Sequence, residues 1–401
     1  ANAAAIVQNG DVRGIYHKSF LPNYSVFDEA RYFSKGTEPN TLFWYDDIAI
    51  GINICEDIWI EDGPAEEQVK QGASLIININ ASPYDIHKSE TRKEIVMKKA
   101  LKLNVPIIYL NMVGGQDELV FDGGSFVVND LGEIIYQASS FKEEVFHLDI
   151  DLKTNKQNDK SPLIIRPKTI ELKDVESKAS LSKNESIYSA LKLGLKDYVR
   201  KNKFTKVLIG ISGGIDSALT AAICVDALGA ENVIGVAMPS KYNSKDSLDD
   251  AIKLSDNLGI TLKTIEIEKL VDDFRETLTN SLNEDLGQIT DENIQSRVRG
   301  NILMGLSNQT GAMVVSTGNK SEMAVGYSTL YGDLAGGFAL IKDLYKTKVY
   351  ELSNYINSIS DAIPKNIITK EPSAELRPNQ FDSDSLPDYE VLDKILNLYI
   401  E

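Results

Sequence analysis

The sequence is poor in cysteine, histidine and positive charge, and it contains no long apolar run. It has 2 cysteines and 3 histidines among 401 residues. Cys55 and Cys224 lie in different sequence contexts, so we expect a reducing cytoplasm rather than a disulfide scaffold. A formal net charge of -17 argues against a nucleic-acid surface, because phosphate backbones attract clustered cations. No apolar run approaches the ~20 residues of a membrane span, so we predict none.

The pattern of apolar residues predicts two α/β domains and a linker. In residues 1–150, short apolar strands alternate with polar loops and one amphipathic helix, which indicates a mixed α/β layer domain. Residues 151–184 are polar and rich in lysine, which is typical of a linker. In residues 185–401, strands alternate with helices, which predicts a parallel sheet wound on both faces. The predicted strands there are Val207–Ile211, Val233–Met238, Leu262–Ile267 and Ala312–Ser316, and the predicted helices are Ile187–Val199, Ser217–Leu228, Ser247–Leu258, Val271–Leu282 and Glu292–Ser307.

A glycine-rich loop, residues 212–217, runs from the first of these strands into a helix. Its glycines let backbone amides approach an anion, and the helix start adds the positive end of its dipole. The loop therefore predicts a pyrophosphate site, although it lacks the ending of a Walker loop. It resembles the SGGxDS loop of the PP-loop ATP pyrophosphatases, which implies cleavage of ATP to AMP and pyrophosphate. The resemblance places Ser212, Gly213, Gly214, Asp216 and Ser217 at the ATP phosphates, but the loop alone does not choose among family members.

A second group of polar residues follows the strand that ends at Ser316. Thr317 stands at the carboxyl end of that strand, where doubly wound folds bind ligands. Glu322 comes in the next helical turn, and with Asp216 it offers oxygen ligands suited to Mg²⁺. Lys346 is a candidate to neutralise a leaving pyrophosphate. Taken singly, each of these residues would be interpreted as a solvated surface residue. Their joint spacing instead favours a phosphate- and metal-binding site.

Three strings in this region resemble those of the NAD synthetases: STGNKSE from Ser316, GYxTxYGD from Gly326 and KTxVYEL from Lys346. The resemblance implies that ATP and deamido-NAD are substrates and that Mg²⁺ is required. By position it implies metal binding by Asp216 and Glu322, phosphate contacts by Thr317 and Lys346, adenosine at Met238, and deamido-NAD at Arg297 and Asp333.

Cys55 ends an apolar strand and is followed directly by Glu56 and Asp57. Most cysteines in such positions are packing residues, but Lys18 upstream is a group that could lower a thiol pKa and steady an oxyanion. The three histidines are not placed for a Cys–His pair. The pattern instead resembles the nitrilase superfamily, with an α-β-β-α layer fold and a Glu–Lys–Cys triad. The resemblance implies that Cys55, Lys18 and Glu56 are catalytic and that Tyr24 and Ser82 bind glutamine.

The combined resemblance implies a glutamine-dependent NAD synthetase: glutamine gives ammonia, and ATP activates deamido-NAD. It also implies a homo-oligomer. We expect both chain ends to be cut, with the general-base Glu lying before Ala1. One alternative is another PP-loop amidotransferase such as a GMP synthetase, which would require a Cys–His–Glu glutaminase that this sequence lacks. The other is a non-catalytic binding or regulatory protein, against which Asp216, Glu322 and Lys346 speak for the second domain. For the first domain an inert scaffold role stays open.

Overall fold

The computed structural model describes residues 1–39, 41–45, 47–152 and 177–401. These divide into two compact units, one of residues 1–114 and 118–182 and the other of residues 115–117 and 183–401. Most of the predicted linker, residues 153–176, lies outside the described residues. The last two residues of that predicted linker already belong to a helix that begins at Lys183.

The first unit is built on a six-stranded sheet with parallel and antiparallel pairs. Its elements are β1 (Ala3–Gln8), β2 (Asp11–His17), α1 (Glu29–Tyr32), β3 (Leu42–Tyr45), β4 (Ile48–Ile54), α2 (Pro64–Lys70), β5 (Leu75–Asn80), α3 (Lys88–Leu103), β6 (Ile107–Asn111), β7 (Val113–Gln116), β8 (Leu119–Asp122), β9 (Phe126–Val128) and β10 (Ile134–Gln137). The order across the sheet is β10-β9-β6-β5-β4-β3, and β1–β2 and β7–β8 form separate two-stranded sheets. The strands β4, β5 and β6 are parallel.

The sheet strands are rich in Ile, Leu and Val, and alternate residues of β4, β5 and β6 are buried on one face of the sheet. Ile76 and Ile107 pack with Val96 and Ala100 of α3 in one buried cluster. Parallel pairing aligns Ile54 of β4 with Ile79 of β5. The loops that leave β4 and β5 therefore begin side by side at one edge of the sheet.

The second unit holds a five-stranded parallel sheet in the order β13-β12-β11-β14-β15. Its elements are α4 (Lys183–Lys201), β11 (Val207–Gly210), α5 (Ile215–Leu228), β12 (Val233–Ala237), α6 (Lys245–Leu258), β13 (Thr261–Thr264), α7 (Glu268–Leu282), α8 (Gln288–Thr310), β14 (Met313–Ser316), α9 (Lys320–Val325), β15 (Phe338–Ala339), α10 (Lys346–Ile359), α11 (Lys365–Thr369) and α12 (Tyr389–Ile400).

The sheet of the second unit carries helices on both faces. Leu208 of β11 packs into a core with Val271 of α7 and Ile294 of α8. Its neighbours Val207 and Ile209 are also fully buried, and strand alternation turns them to the opposite face, where α5 lies against β11. The predicted doubly wound α/β fold is confirmed, and each strand and helix predicted after residue 185 is present with ends shifted by a few residues.

Candidate active sites

The loop between β11 and α5 is a tight turn closed by its own serines. Ser217 Oγ accepts a hydrogen bond from the Ser212 amide at 3.2 Å and donates to the Gly214 carbonyl at 3.0 Å. Ser212 Oγ accepts from the Gly214 amide at 3.2 Å. Gly214 is the N-cap of α5 and supplies no side-chain cap. The first-turn amides of α5 are therefore left for an anion.

Gly213 has a positive φ of +80°, and a Cβ at this position would lie 2.2 Å from the Ser247 carbonyl oxygen. Real side chains do not tolerate so short a contact with backbone, and the left-handed region also disfavours other residues. The loop geometry therefore requires glycine here.

The two acids predicted from distant strings meet at one lysine. Lys346 Nζ lies 2.6 Å from Asp216 Oδ2 and 3.0 Å from Glu322 Oε1. Asn319 caps α9 by accepting from the Glu322 amide at 3.0 Å, and its amide nitrogen donates to Asp216 Oδ1 at 2.8 Å. Asp216, Glu322 and Lys346 are thus held at the carboxyl edge of the sheet, beside Thr317, which directly follows β14.

Burial and neighbouring charges together set the protonation of Lys346 and Glu322. Burial alone would lower the pKa of Lys346, but the charges of Asp216 and Glu322 raise it well above its ordinary value. Burial, with the negative charge of Asp216, raises the pKa of Glu322 to about 7, against the opposing effect of Lys346. The lysine therefore stays a cation throughout the neutral range.

A cavity of about 620 Å³ opens beside the phosphate loop. Its wall is formed by the phosphate loop, by Asp216, Glu322 and Lys346, and by residues that follow β12 and β14. Eight predicted residues line it: Ser212, Gly214, Asp216, Met238, Thr317, Glu322, Asp333 and Lys346. Gly213 and Ser217 shape the loop behind that wall.

The two residues predicted at the deamido-NAD site occupy different environments. Asp333 lines the cavity, and its Oδ1 accepts from the Thr329 amide at 2.8 Å. Its loop packs tightly on α8, because a Cβ on Gly300 would lie 2.8 Å from the Tyr331 carbonyl oxygen. Arg297 is exposed on α8, donates to the Leu330 carbonyl at 3.3 Å and is not among the residues that line the cavity. Its role stays a prediction.

Arg299 lines the cavity and was not singled out from the sequence. It donates to the Met238 carbonyl at 3.1 Å and to Asn243 Oδ1 at 3.2 Å. Burial lowers the pKa of Arg299 to about 10, against the opposing charge of Glu375. Residues two apart on a helix face directions roughly 200° apart, so only packing selects Arg299 over Arg297 for the cavity.

A second missed group borders the same cavity. Glu375 Oε1 accepts from Ser247 Oγ at 2.7 Å and from Lys370 Nζ at 3.0 Å, and Oε2 accepts from Asn243 at 2.8 Å. Burial would raise the pKa of Glu375, but these hydrogen bonds and the charge of Lys370 lower it. Because the Ser247 backbone also packs against Gly213, the hydrogen bonds of Glu375 help to hold the phosphate loop in place. No string in the sequence distinguished it.

In the first unit, Cys55 follows β4 at the start of a short 3-10 helix, Cys55–Ile58. Its φ of +46° is left-handed, which is costly for a non-glycine residue and common at functional turns. The residue is buried, and burial raises the pKa of the Cys55 thiol to about 11, although Lys18 lowers it. The thiolate therefore forms only when a base takes the proton.

Lys18 is buried beside this turn and forms a bidentate pair with Glu29. Lys18 Nζ lies 2.7 Å and 2.9 Å from the two carboxylate oxygens of Glu29. The ammonium of Lys18 can therefore oppose negative charge that develops near Cys55. The sequence predicted Lys18 but not Glu29.

The other predicted residues of this unit lie on the same edge of the sheet. Tyr24 donates to Glu56 Oε2 at 2.9 Å on the surface. Ser82, two residues after β5, is buried and accepts from Arg92 Nε at 3.1 Å. Arg92 also holds both oxygens of Asp122 at 2.8 Å. Ser82 is therefore fixed by a buried ion pair that the sequence did not reveal.

Asp57 is a buried carboxylate that links the residues just after Lys18 to the turn that contains Cys55. It accepts from the Tyr16 hydroxyl at 2.8 Å, from the amides of Ser19 and Phe20 at 3.1 Å and 2.9 Å, and from the Ile54 amide at 3.0 Å. Burial raises the pKa of Asp57, and these donors oppose the rise. Its position directly after Glu56 was the only signal in the sequence.

Two features are absent from the described residues. They contain no group of three or more His, Cys, Asp and Glu side chains placed to hold a metal ion. No described helix combines the length and apolar character needed to cross a bilayer.

The comparisons with known proteins agree with both units. Residues 1–158 match the carbon-nitrogen hydrolase family and residues 187–401 match the NAD synthase family. The fold therefore defines a carbon-nitrogen hydrolase domain joined to an ATP-dependent ligase domain, and the resemblances of the two units to these families are confirmed.

Relatives that match along the whole chain identify the family. The glutamine-dependent NAD(+) synthetase of Aquifex aeolicus is 47% identical over 100% of this chain and 73% of its own length, and that of Thermotoga maritima is 48% identical with the same coverage. The solved glutamine-dependent NAD+ synthetase of Acinetobacter baumannii, in complex with adenosine diphosphate, is 43% identical with a TM-score of 0.83, covering 99% of this chain and 70% of that one. The chain belongs to the glutamine-dependent NAD(+) synthetase family.

Proposed function

We propose that this chain makes NAD from deamido-NAD, ATP and ammonia, with AMP and pyrophosphate as co-products. The observation that carries the proposal is the cation of Lys346, held between Asp216 and Glu322 on the wall of a cavity that also contains the phosphate loop. Family membership supports the same reaction.

The ligase reaction has two steps. The nicotinate carboxylate of deamido-NAD attacks the α-phosphorus of ATP, and the bond to the β-phosphate breaks. The amides at the start of α5 bind the departing pyrophosphate, and Lys346 offsets its charge at no cost of reorganisation. Ammonia then attacks the acyl carbon, AMP leaves, and the nitrogen loses a proton to give the amide. Met238 and Arg299 are proposed to hold the adenosine end.

Asp216 and Glu322 are the residues that would hold Mg²⁺. One carboxylate oxygen of each residue lies within 3.0 Å of Lys346 Nζ, so the two acids face the same place. Mg²⁺ usually takes one or two carboxylates together with phosphate oxygens. A pair of acids without a third protein ligand fits that donor set. When bound, the ion would neutralise charge on the ATP phosphates.

The first unit is proposed to supply ammonia from glutamine. Cys55 would attack the side-chain amide carbon, ammonia would leave, and water would then hydrolyse the thioester to glutamate. Lys18 is placed to oppose the developing oxyanion, and Tyr24, Glu56 and Ser82 are proposed to position glutamine. A homo-oligomer and a cytoplasmic location are also proposed, the second because both cysteines are free thiols.

Product analysis tests the ligase reaction. With ATP, Mg²⁺, deamido-NAD and ammonium, we expect equal amounts of NAD, AMP and pyrophosphate. Lys346→Ala should lower kcat by about 10²–10³-fold, because it removes a preorganised charge at the leaving group. Lys348→Ala is the matched control, since this neighbour pairs with Glu351 on the outer side of α10.

ADP and phosphate as products would rule out the pyrophosphatase chemistry. In the same assay, Asp216→Ala and Glu322→Ala should each raise the Mg²⁺ concentration that gives half the maximal rate. An unchanged Mg²⁺ requirement in both variants would refute the metal assignment.

A further inference from the structure

The first turn of α10 has no side chain of its own that accepts hydrogen bonds from its free backbone amides. Its N-cap residue is Tyr345, which makes no capping hydrogen bond, and the first turn contains no acidic residue. It contains Lys346 and Lys348 instead. A helix start carries unpaired amides and the positive end of the dipole, so two lysines there are unfavourable unless other elements supply acceptors.

Those acceptors come from two other helices. Ser321 Oγ of α9 accepts from the Lys346 amide at 2.9 Å and donates to Asp393 Oδ1 of α12 at 2.5 Å. Asp393 Oδ2 accepts from the Thr347 amide at 2.9 Å. Both oxygens of one carboxylate are thus used to cap α10, one directly and one through Ser321.

This contact is enclosed and lies behind the cavity wall. Ser321 is 0% exposed and Asp393 is 5% exposed, and neither is among the residues that line the cavity. Ser321 immediately precedes Glu322, and Thr347 immediately follows Lys346. The carboxylate of Asp393 therefore joins the starts of the two helices that carry the catalytic cation and its acidic partner.

We propose that Asp393 is a positioning residue that sets the distance between Lys346 and Glu322. The proposal rests on the proposed ligase function of these two side chains. Without Asp393, the Thr347 amide and the Ser321 hydroxyl lose their buried acceptor. The starts of α9 and α10 are then free to separate, and the ammonium of Lys346 leaves the place where the pyrophosphate departs.

The test uses three variants of the full chain. Asp393→Ala removes the acceptor, and Asp393→Asn keeps one acceptor oxygen for Thr347 in nearly the same shape. Glu390→Gln is the control, because Glu390 is an exposed residue of the same helix whose side chain pairs with Lys394 at 3.7 Å. The measurements are kcat and KM with ammonium as donor, and hydrogen exchange of the Thr347 amide.

For Asp393→Ala we expect kcat to fall about 10–100-fold, because a displacement of about 1 Å at a reacting group costs that much, while KM for ATP changes less than about twofold. The Thr347 amide should exchange at least about tenfold faster once its acceptor is gone. Asp393→Asn should recover part of both effects. Glu390→Gln should leave both at the wild-type value.

Faster exchange with unchanged kcat would overturn the proposal, since Asp393 would then only stabilise the fold. A fall in kcat without faster exchange would overturn it as well, because the effect would not pass through the start of α10. If Asp393→Ala does not fold, Asp393→Asn carries both measurements. A wild-type chain that makes no NAD would overturn the proposed function instead, and exchange at Thr347 would still decide whether Asp393 holds the helix.

Discussion

At the scale of single residues, burial disfavours the charged form of two candidate catalytic groups, and their neighbouring charges decide the outcome. Lys346 remains charged because two carboxylates lie within 3.0 Å of its nitrogen. The anion of the Cys55 thiol is favoured by Lys18, which is already paired with Glu29, and by a backbone hydrogen bond with Glu56, and burial outweighs both. The lysine of the ligase unit is therefore held in its charged form, whereas the thiol rests as a neutral group.

The pH dependence of Cys55 alkylation follows from this. With a pKa of about 11, the rate of reaction with iodoacetamide should rise about tenfold per pH unit from pH 7 to beyond pH 9, where an ordinary cysteine of pKa ~8.5 levels off. Lys18→Met removes the charge that lowers this pKa, so alkylation at a given pH should be slower. Peptide mass spectrometry separates Cys55 from the fully buried Cys224.

Lys98→Met serves as the control for the lysine change, because Lys98 is exposed on α3 with a loose partner at 3.8 Å. It should leave the rate unchanged. A plateau near pH 8.5 in the wild type would contradict the buried, high-pKa thiol.

At the scale of elements, the ligase site is made where parallel strands end. Ile209 of β11 pairs with Gly235 of β12 and with Val315 of β14, so the loops after these strands start at one edge. The phosphate loop, Met238 and Thr317 are the first residues of those loops. The backbone of the phosphate loop fits against the start of α6 only because residue 213 has no side chain.

Gly213→Ala should therefore disrupt both stability and catalysis. Gly311→Ala is the matched control, since Gly311 has a similar φ of +70° but open space around its Cβ position. Each change carries a left-handed penalty of about 1–2 kcal/mol. Gly213→Ala must in addition displace the Ser247 backbone, so it should lower the thermal midpoint further and reduce NAD formation at least about 10²-fold.

Thermal unfolding and the ammonium-dependent rate measure the two effects. If both alanine variants lost stability equally and kept activity, the close packing of the loop on Ser247 would be wrong.

At the scale of the whole molecule, the two units carry two separate candidate sites. The cysteine and its lysine belong to the first compact unit, and the phosphate loop with Lys346 belongs to the second. Each unit has its own core and its own family match. Damage to the thiol should therefore leave carboxylate activation intact.

The choice of nitrogen donor checks that separation. Asp216→Ala should lower NAD formation by the same large factor with ammonium and with glutamine, because activation of the carboxylate precedes both. Cys55→Ala should remove only the glutamine-dependent part, leaving the ammonium-dependent rate within about twofold, since nucleophile loss is local to one site. Parallel assays with each donor give the answer, and an equal loss of the ammonium-dependent rate in Cys55→Ala would contradict two independent sites.

The sequence by itself determined the α/β class of both units, and it predicted the phosphate loop and the candidate site residues. It could do so because these features are local: a strand, two glycines and a helix start occupy one short string. The same holds for Cys55 beside Glu56, and for Lys346 at the start of KTxVYEL.

Only the tertiary structure decided which distant residues meet. It brought Glu29 to Lys18, placed Arg299 rather than Arg297 on the cavity wall, and joined Asp393 to Ser321 and Thr347. An acid on a helix reads from sequence as a surface charge, and nothing in its neighbours shows what packs against it. Burial and hydrogen-bond partners arise from contacts between elements far apart in the chain, so they become visible only when the sheet and its helices are assembled.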